Sequence, residues 1–264
     1  MYLITSMPQD AFAITIILLN LILYDQMRHS DGIELLKMLK SQGFYHSEIE
    51  LLIKKWHLKH GFKANRFSYV LKHYETYKAE LVEKHLFNQV KKLDIDRLDF
   101  EAKYFPTEYM KEEVSKIMKL DQHEIEYLIA KNHYHQGDYE KVIAYSHKYL
   151  DLNPKWYILH LLSLDYLKRS KDIFKILKDN DYLDHMKVDM IQKHLTLKYK
   201  ANQSEIIEYI KKDILVSELL TDDYDLLVYL MNDCEKILSK FQFYKDAVHV
   251  YRHFTTRLNQ NMLS

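Results

Sequence analysis

Glycine and proline are scarce in this chain of 264 residues, which contains four glycines and three prolines. Average usage would supply roughly 18 glycines and 13 prolines at this length. β-Hairpins and most α/β loops draw on both residues, because glycine reaches left-handed backbone angles and proline fixes φ. The scarcity excludes collagen-like, glycine-loop and many-stranded β architectures, and it predicts an all-α fold with short polar links.

The few glycines and prolines are expected to mark the ends of helices. Glycine closes a helix well because it tolerates the left-handed conformation, and proline is tolerated in the first helical turn. We therefore expect helices to end near the glycines and to begin near the prolines: Gly32, Gly43, Gly61 and Gly137, and Pro8, Pro106 and Pro154.

Apolar periodicity places the helices more closely. An N-terminal helical bundle is predicted, with helices at about 8–28, 33–42, 47–61 and 66–92. An irregular stretch at 93–106 and a helix capped by Thr107, reaching about 119, follow. Paired helices then come at about 123–136 and 138–151, 155–168 and 171–179, 184–200 and 204–219, and 222–240 and 243–260. We place the domain boundary in the irregular stretch, with domains at 1–105 and 106–264.

Charge and cysteine content limit the environment and the partners of the chain. Lys and Arg total 38 and Asp and Glu total 38, so the net charge at pH 7 is zero. A protein that coats nucleic acid along its whole surface needs excess positive charge. Cys234 is the single cysteine, which allows no internal disulfide, and we expect a protein of the reducing cytoplasm.

Residues 11–24 form the most apolar segment, a run of fourteen residues interrupted by Asn20. A membrane-spanning helix needs about 20 such residues. We therefore expect a core helix and no membrane insertion, with a membrane or partner-docking anchor as the alternative interpretation.

Residues 123–155 carry a repeat-like pattern. Ala130 supplies a small residue in the first helix, Gly137 supplies the turn, and Pro154 stands where the next helix begins. The pattern resembles a tetratricopeptide repeat (TPR), and a fainter echo of it lies near 243–254.

The resemblance implies a TPR-like α-solenoid of antiparallel helix pairs over 106–264. Proteins of that family bind peptides or partner proteins in a concave groove and rarely catalyse. Val142 and Tyr149 depart from the family pattern, which usually has alanine at both places, and larger residues there would splay the two helices. We expect the partner groove to be lined by Tyr127, Lys131, Tyr134, His135 and Tyr166.

A basic region extends from Lys40 to Lys92, with eleven Lys or Arg residues against five acidic ones. Two of its predicted helices could form a helix-turn-helix at 46–74. On this interpretation, the phosphates of a nucleic acid would be bound by Lys54, Lys55, Lys59, Lys63, Arg66 and Lys72. A solvated basic face and a site for an acidic protein partner are the alternatives.

Negative charge predominates at 213–235, where seven acidic residues occur without any Lys or Arg. Such residues favour a helix N-terminus, which we expect near Thr221. Pairing with the basic region, within one chain or across a dimer, is the other interpretation.

Residues for catalysis cannot be assigned from the sequence. The glycines lie too far apart for a phosphate-binding loop, and no G-x-S-x-G motif occurs. Cys234 lies on the same helical stripe as Leu230, so we expect a buried thiol. His249 and His253 are one helical turn apart, but neither a cysteine nor a zinc-protease glutamate accompanies them. We predict no catalytic residue, no metal site and no cofactor.

The leading interpretation is a non-enzymatic regulatory or scaffold protein that binds a peptide or protein partner through the TPR-like array. Its N-terminal domain would then be a regulatory module or the module through which two copies of the chain form a homodimer. The first alternative is a DNA-binding transcription or replication regulator that uses the basic helices of 40–92. The second alternative is a helical enzyme with a dispersed site.

Overall fold

The computed structural model describes residues 29–41, 47–63, 66–117, 120–179, 186–215 and 224–263. Every regular element in these ranges is helical, which confirms the all-α prediction. None of the helices in this part of the chain combines the length and apolarity that crossing a bilayer requires. The predicted helix at 8–28, with its apolar run, and Gly43 lie outside the described residues.

The described α-helices are numbered in chain order. They are α1 (His29–Ser41), α2 (Ser47–Lys63), α3 (Phe67–Glu83), α4 (Phe87–Glu101), α5 (Thr107–Ser115), α6 (Gln122–His135), α7 (Tyr139–Ser146), α8 (Pro154–Tyr166), α9 (Ser170–Asp179), α10 (Met186–Lys200), α11 (Gln203–Tyr209), α12 (Tyr224–Lys240) and α13 (Tyr244–Leu263). A 3-10 turn follows α7 at His147–Tyr149, and a π turn follows α11 at Ile210–Ile214.

The helices form two compact units. The first holds the described residues up to Val90 and those from Thr255 onward, and the second is Lys91–Phe254. Most of the stretch that was predicted to be irregular, 93–106, is helical and belongs to the second unit. That prediction was wrong because Leu93 and Leu98 are buried there, although charged residues interrupt the apolar pattern around them.

Gly32 lies inside α1, so the expectation that it marks a helix end was wrong, whereas Gly61 lies two residues before the end of α2. A Cβ atom on Gly32 in α1 would lie 3.0 Å from the ring of Trp56. A Cβ atom on Gly61 in α2 would lie 2.9 Å from side-chain atoms of both Tyr69 and Val70 in α3. Both glycines therefore permit close packing of α1, α2 and α3 rather than a change of chain direction.

Four helices end in the same local structure, a Schellman motif. A residue with positive φ lies just beyond the end of each of α3, α6, α8 and α12. The N–H of the residue after it donates to the carbonyl of the residue five positions before the donor, at 2.8–2.9 Å. The residues with positive φ are His85 (57°), Gly137 (80°), Lys168 (58°) and Gln242 (65°).

A glycine occupies this position only after α6, where the predicted turn at Gly137 is confirmed. The predicted continuous helix 66–92 was wrong because the motif at His85 ends α3 at Glu83 and α4 begins at Phe87. A histidine there gave no turn signal in the sequence.

Asn132 of α6 fixes the link between α4 and α5. Its Nδ2 donates to the carbonyls of Ala102 (2.9 Å) and Phe105 (2.7 Å), and its Oδ1 accepts from the hydroxyl of Thr107 (2.7 Å). The prediction that Thr107 caps α5 was wrong, because Pro106 stands at the cap and the Thr107 hydroxyl is used by Asn132.

α8 is the central helix of the second unit. It contacts α6, α7, α9 and α10, and its residues 156–165 are all buried. From residue 122 onward, most observed helix bounds agree with the predicted pairs to within about three residues, but α7 ends at Ser146 rather than at 151 and α11 ends at Tyr209 rather than at 219. The finer prediction, a TPR-like solenoid of antiparallel pairs, stays a prediction.

A glycine at a left-handed helix end should stabilise the protein. Lys168→Gly is expected to raise the free energy of unfolding by about 0.5–1 kcal/mol, because glycine removes the steric cost of a positive φ. The exposed Lys175 in the middle of α9 is the control, and Lys175→Gly should lower that free energy by about 1 kcal/mol. Urea unfolding followed by circular dichroism measures both. Destabilisation by Lys168→Gly would contradict the assigned helix end.

Candidate functional site

The polar groups of the second unit converge on one face of α12. Asp225, Tyr229 and Asp233 are spaced four residues apart, so their side chains lie on the same side of the helix. Each of the three contacts side chains from other helices, and together they form two clusters, centred on Asp225 and on Asp165.

The first cluster surrounds Asp225, in the first turn of α12. Its carboxylate lies 3.2 Å from Lys131 Nζ, 3.6 Å from Lys103 Nζ and 3.6 Å from His135 Nε2. Lys131 also binds Asp99, with Nζ 2.7 Å from both carboxylate oxygens. Three cationic or ionisable groups therefore face one buried carboxylate.

Burial and charge oppose each other in this cluster. Burial alone would raise the pKa of Asp225, but Lys131, Lys103 and His135 outweigh it and hold that pKa well below its usual range. Burial lowers the pKa of Lys103. Burial also lowers the pKa of His135 to about 4 in spite of Asp225, so His135 is neutral at pH 7. The charged core of the cluster is one aspartate and two lysines, with Asp99 at its edge.

The second cluster is centred on Asp165, near the end of α8. Its carboxylate accepts hydrogen bonds from Lys198 Nζ (2.7 Å), the Tyr199 hydroxyl (2.7 Å) and the Tyr229 hydroxyl (2.9 Å). Three donors from α10 and α12 thus satisfy a carboxylate that lies within a buried helix.

Asp233 completes the second cluster. Its carboxylate binds Lys198 Nζ at 2.7 Å and His194 Nε2 at 2.9 Å. Burial opposes the ionised form, but His194 and Lys198 outweigh it and lower the pKa of Asp233. Burial likewise opposes the charge on Lys198, yet Asp233 and Asp165 raise its pKa.

Tyrosine rings lead from the second cluster to the surface. The ring of Tyr166 packs edge-on against Tyr229 (centroids 5.9 Å apart) and Tyr134 (5.8 Å). On its other side, Tyr166 stacks with Tyr139 at 4.6 Å and an interplanar angle of 4°. Tyr134 and Tyr229 are buried, whereas Tyr166 is 38% exposed. We call Tyr139 and Tyr166 the tyrosine pair.

The structure brings together four of the five residues predicted to line the groove. Lys131 and His135 face Asp225, and Tyr134 packs on Tyr166. Tyr127 lies elsewhere, edge-on to Trp156 at 5.2 Å. Lys131 and His135 are already engaged with residues of this chain, which leaves Tyr166 as the most exposed member of the predicted set.

Sequence reasoning missed the partners of these residues on α12 and α10. Asp225 and Asp233 were noted only as members of an acidic stretch, and the acidic start of α12 does agree with that interpretation. The signal available was the four-residue spacing of Asp225, Tyr229 and Asp233. An aspartate near the end of an otherwise apolar helix, Asp165, was a second signal.

The predicted nucleic-acid residues lie on the α2–α3 hairpin of the first unit. Lys54 is paired with Glu80 of α3, whereas Lys55, Arg66 and Lys72 are exposed. The exposed face of α3 carries Glu75 three residues after Lys72 and is therefore mixed in charge. The side chains of the two remaining residues of the set, Lys59 and Lys63, lie outside the described residues.

Cys234 is fully buried in α12, as predicted, and burial raises the pKa of its thiol. Within the described ranges, no group of three or more His, Cys, Asp or Glu side chains is placed to hold a metal ion.

Comparisons of this chain with protein-family models, with characterised proteins and with solved structures find no match. The function must therefore be inferred from the geometry of the chain itself.

Removing the charge of Asp225 should destabilise the second unit strongly. Asp225→Asn leaves the two largely buried lysines, Lys103 and Lys131, facing each other with Asp99 at the edge of the cluster, and we expect a loss of about 3 kcal/mol of unfolding free energy. Asp138→Asn is the control, because Asp138 is exposed and solvent screens its contacts with Lys141 and His133, so its loss should be much smaller. Chemical unfolding at pH 7 measures both. If both variants lost the same small amount of unfolding free energy, Asp225 would not be needed to neutralise Lys103 and Lys131.

Stability should fall in mild acid because two histidines are buried in the neutral form. His160 contacts the Ser146 hydroxyl at 2.7 Å, and burial lowers the pKa of His160, like that of His135, to about 4. Histidine in an unfolded chain has a pKa near 6.5, so as the pH falls the unfolded chain binds these protons at a higher pH than the folded chain does. The contribution of each histidine, up to about 3 kcal/mol, is complete above about pH 6.5 and is lost toward pH 4.

A His160→Asn variant tests this pH dependence. Its unfolding free energy should be lower than that of the wild type at pH 7.5, but should decrease less between pH 7 and pH 4.5. His249→Asn, at an exposed histidine, should leave the slope unchanged. If the unfolding free energy of the His160→Asn variant falls with pH as steeply as that of the wild type, other groups cause the acid sensitivity.

Proposed function

We propose that this chain is a non-enzymatic regulatory or scaffold protein that binds a peptide or protein partner through its second unit. The tyrosine pair is the anchor of the proposed site. A TPR-like arrangement of the helices from α6 onward is part of the proposal, and it rests on the sequence pattern at 123–155.

The observation that carries this proposal is the stacking of the exposed Tyr166 ring on the half-buried Tyr139 ring. Tyrosine is enriched at protein interfaces, because its ring offers a large contact area at little entropic cost and its hydroxyl remains available for hydrogen bonding. Tyr134 and Tyr229 hold the Tyr166 ring from behind, so little side-chain freedom remains to be lost on binding.

The buried clusters support a structural rather than a chemical role for their charged groups. Asp165 accepts three hydrogen bonds, and Lys198 lies between Asp165 and Asp233. A catalytic carboxylate or amine must reach a substrate, whereas these groups neutralise one another inside the unit. This favours a function at the surface.

Polar groups beside the tyrosine pair can add specificity. Arg169, three residues after Tyr166, pairs with Glu140 of α7 (3.2 Å) and Asp172 of α9 (2.6 Å), and all three are exposed. Exposed ion pairs of this kind are weak and can exchange their internal partners for charges on a ligand. An aromatic centre with a polar rim is the usual composition of a transient protein interface.

The test is retention of a partner by the immobilised chain from extracts of the cells that express it. Tyr166→Ala should weaken retention by about tenfold or more, as expected when an anchoring aromatic residue is removed. Phe87→Ala, at an exposed aromatic residue of the first unit, is the matched control and should retain the partner fully. Thermal unfolding must show that both variants are folded.

Two outcomes contradict the proposal. Equal retention by the wild type and Tyr166→Ala would exclude the tyrosine pair as the anchor. Salt-sensitive binding to double-stranded DNA that is lost in a Lys55→Glu/Arg66→Glu/Lys72→Glu variant would favour the nucleic-acid alternative instead.

A further inference from the structure

α13 has an exposed apolar stripe in addition to its buried face. Tyr244, Val248 and Tyr251 are 62%, 50% and 54% exposed, and their spacing of four and then three residues places them on one side of the helix. Isolated exposed apolar residues are ordinary, but three along two turns of one helix form a continuous patch.

This stripe is distinct from the face by which α13 joins the core. Ala247, Val250 and Phe254 are buried, and they lie on an adjacent face of the same helical segment, about a quarter of a turn away from the stripe. The buried face accounts for the folding of α13 in the second unit. The exposed stripe is therefore not needed to bury this part of the helix.

Two cations border the stripe on the same side. Lys245 and Arg252 lie three residues before and four residues after Val248, and both are exposed. No carboxylate in the described part of the chain pairs with either of them. Lys211 and Lys212 of the same unit differ in this respect, because they pair with Asp246 (2.7 Å) and Glu208 (2.6 Å).

We propose that this face of α13 binds an amphipathic helix of a partner protein, whose apolar residues are bordered by Asp or Glu. The partner's apolar side would cover Tyr244, Val248 and Tyr251, and its carboxylates would reach Lys245 and Arg252. Laying one amphipathic helix along another is a common mode of peptide recognition, and complementary rim charges set its specificity.

Charge disfavours a second copy of this chain as the occupant. If two copies of α13 paired in antiparallel fashion about a two-fold axis, the same flank of each helix would lie on the same side of the interface. Lys245 and Arg252 of one copy would then face Lys245 and Arg252 of the other. With an acidic partner, Lys245 and Arg252 would instead attract carboxylates and so favour binding.

The experiment uses two fluorescently labelled helical peptides with identical leucine positions, one with glutamates and one with lysines beside the leucines. Anisotropy titrations are carried out with the full chain. We expect the glutamate peptide to bind at least about tenfold more tightly than the lysine peptide, with affinity falling as salt is added. Val248→Asp should abolish binding of the glutamate peptide, and a Lys245→Glu/Arg252→Glu variant should reverse the preference.

Tyr166→Ala is the matched control, because it alters the separate surface proposed above and should leave binding of the glutamate peptide unchanged. Equal binding of both peptides, or binding that survives Val248→Asp in a folded protein, would overturn the proposal. It would also be overturned if Val248→Asp instead abolished self-association in analytical ultracentrifugation, or binding to vesicles that contain anionic lipid.

Discussion

Charges buried in the second unit must be neutralised where they lie, and the packing of its helices depends on this requirement. An unpaired buried ion costs several kcal/mol, far more than a single well-packed methylene group contributes. Asp225 of α12 therefore requires Lys131 of α6, and Asp233 of α12 and Asp165 of α8 both require Lys198 of α10. Hydrogen bonds depend on direction as well as distance, so these contacts constrain the position of α12 more narrowly than apolar packing alone.

The tyrosine rings extend this constraint to the surface. Tyr229 donates to Asp165 and at the same time supports the ring of Tyr166, so one residue belongs to both the buried network and the proposed anchor. The position of the exposed ring is thereby tied to the register of α8 against α12. Binding surfaces that are held by a rigid interior lose little entropy when a partner arrives.

Much of the fold could be predicted from the sequence, because helix formation depends largely on local periodicity and on local turn chemistry. The helix bounds after residue 122 and the turn at Gly137 are of this kind. Gly32 was misinterpreted because its role depends on an aromatic side chain of another helix. The end of α3 was missed because its left-handed residue is a histidine rather than a glycine.

In the candidate site too, residues close together in the sequence could be predicted, whereas their distant partners could not. Lys131, Tyr134, His135 and Tyr166 were expected from the resemblance of one short segment to a TPR, which is local information. Their partners Asp225 and Tyr229 are about sixty to ninety residues further along the chain, and no local pattern specifies which acid meets which lysine. The exposed stripe of α13 could not be predicted either, because other helices decide which face of that helix is buried.

Cys234 gives α12 a natural chemical reporter. The thiol is fully buried and adjoins Asp233, and its raised pKa leaves almost no thiolate in the closed structure. A thiol reagent can label this residue only while α12 is detached from its neighbours, so the rate of labelling under native conditions follows how often the helix opens. Cys234 is the single cysteine of the chain, so the fraction of protein that becomes labelled reports the opening of α12 alone. Both polar clusters depend on this helix.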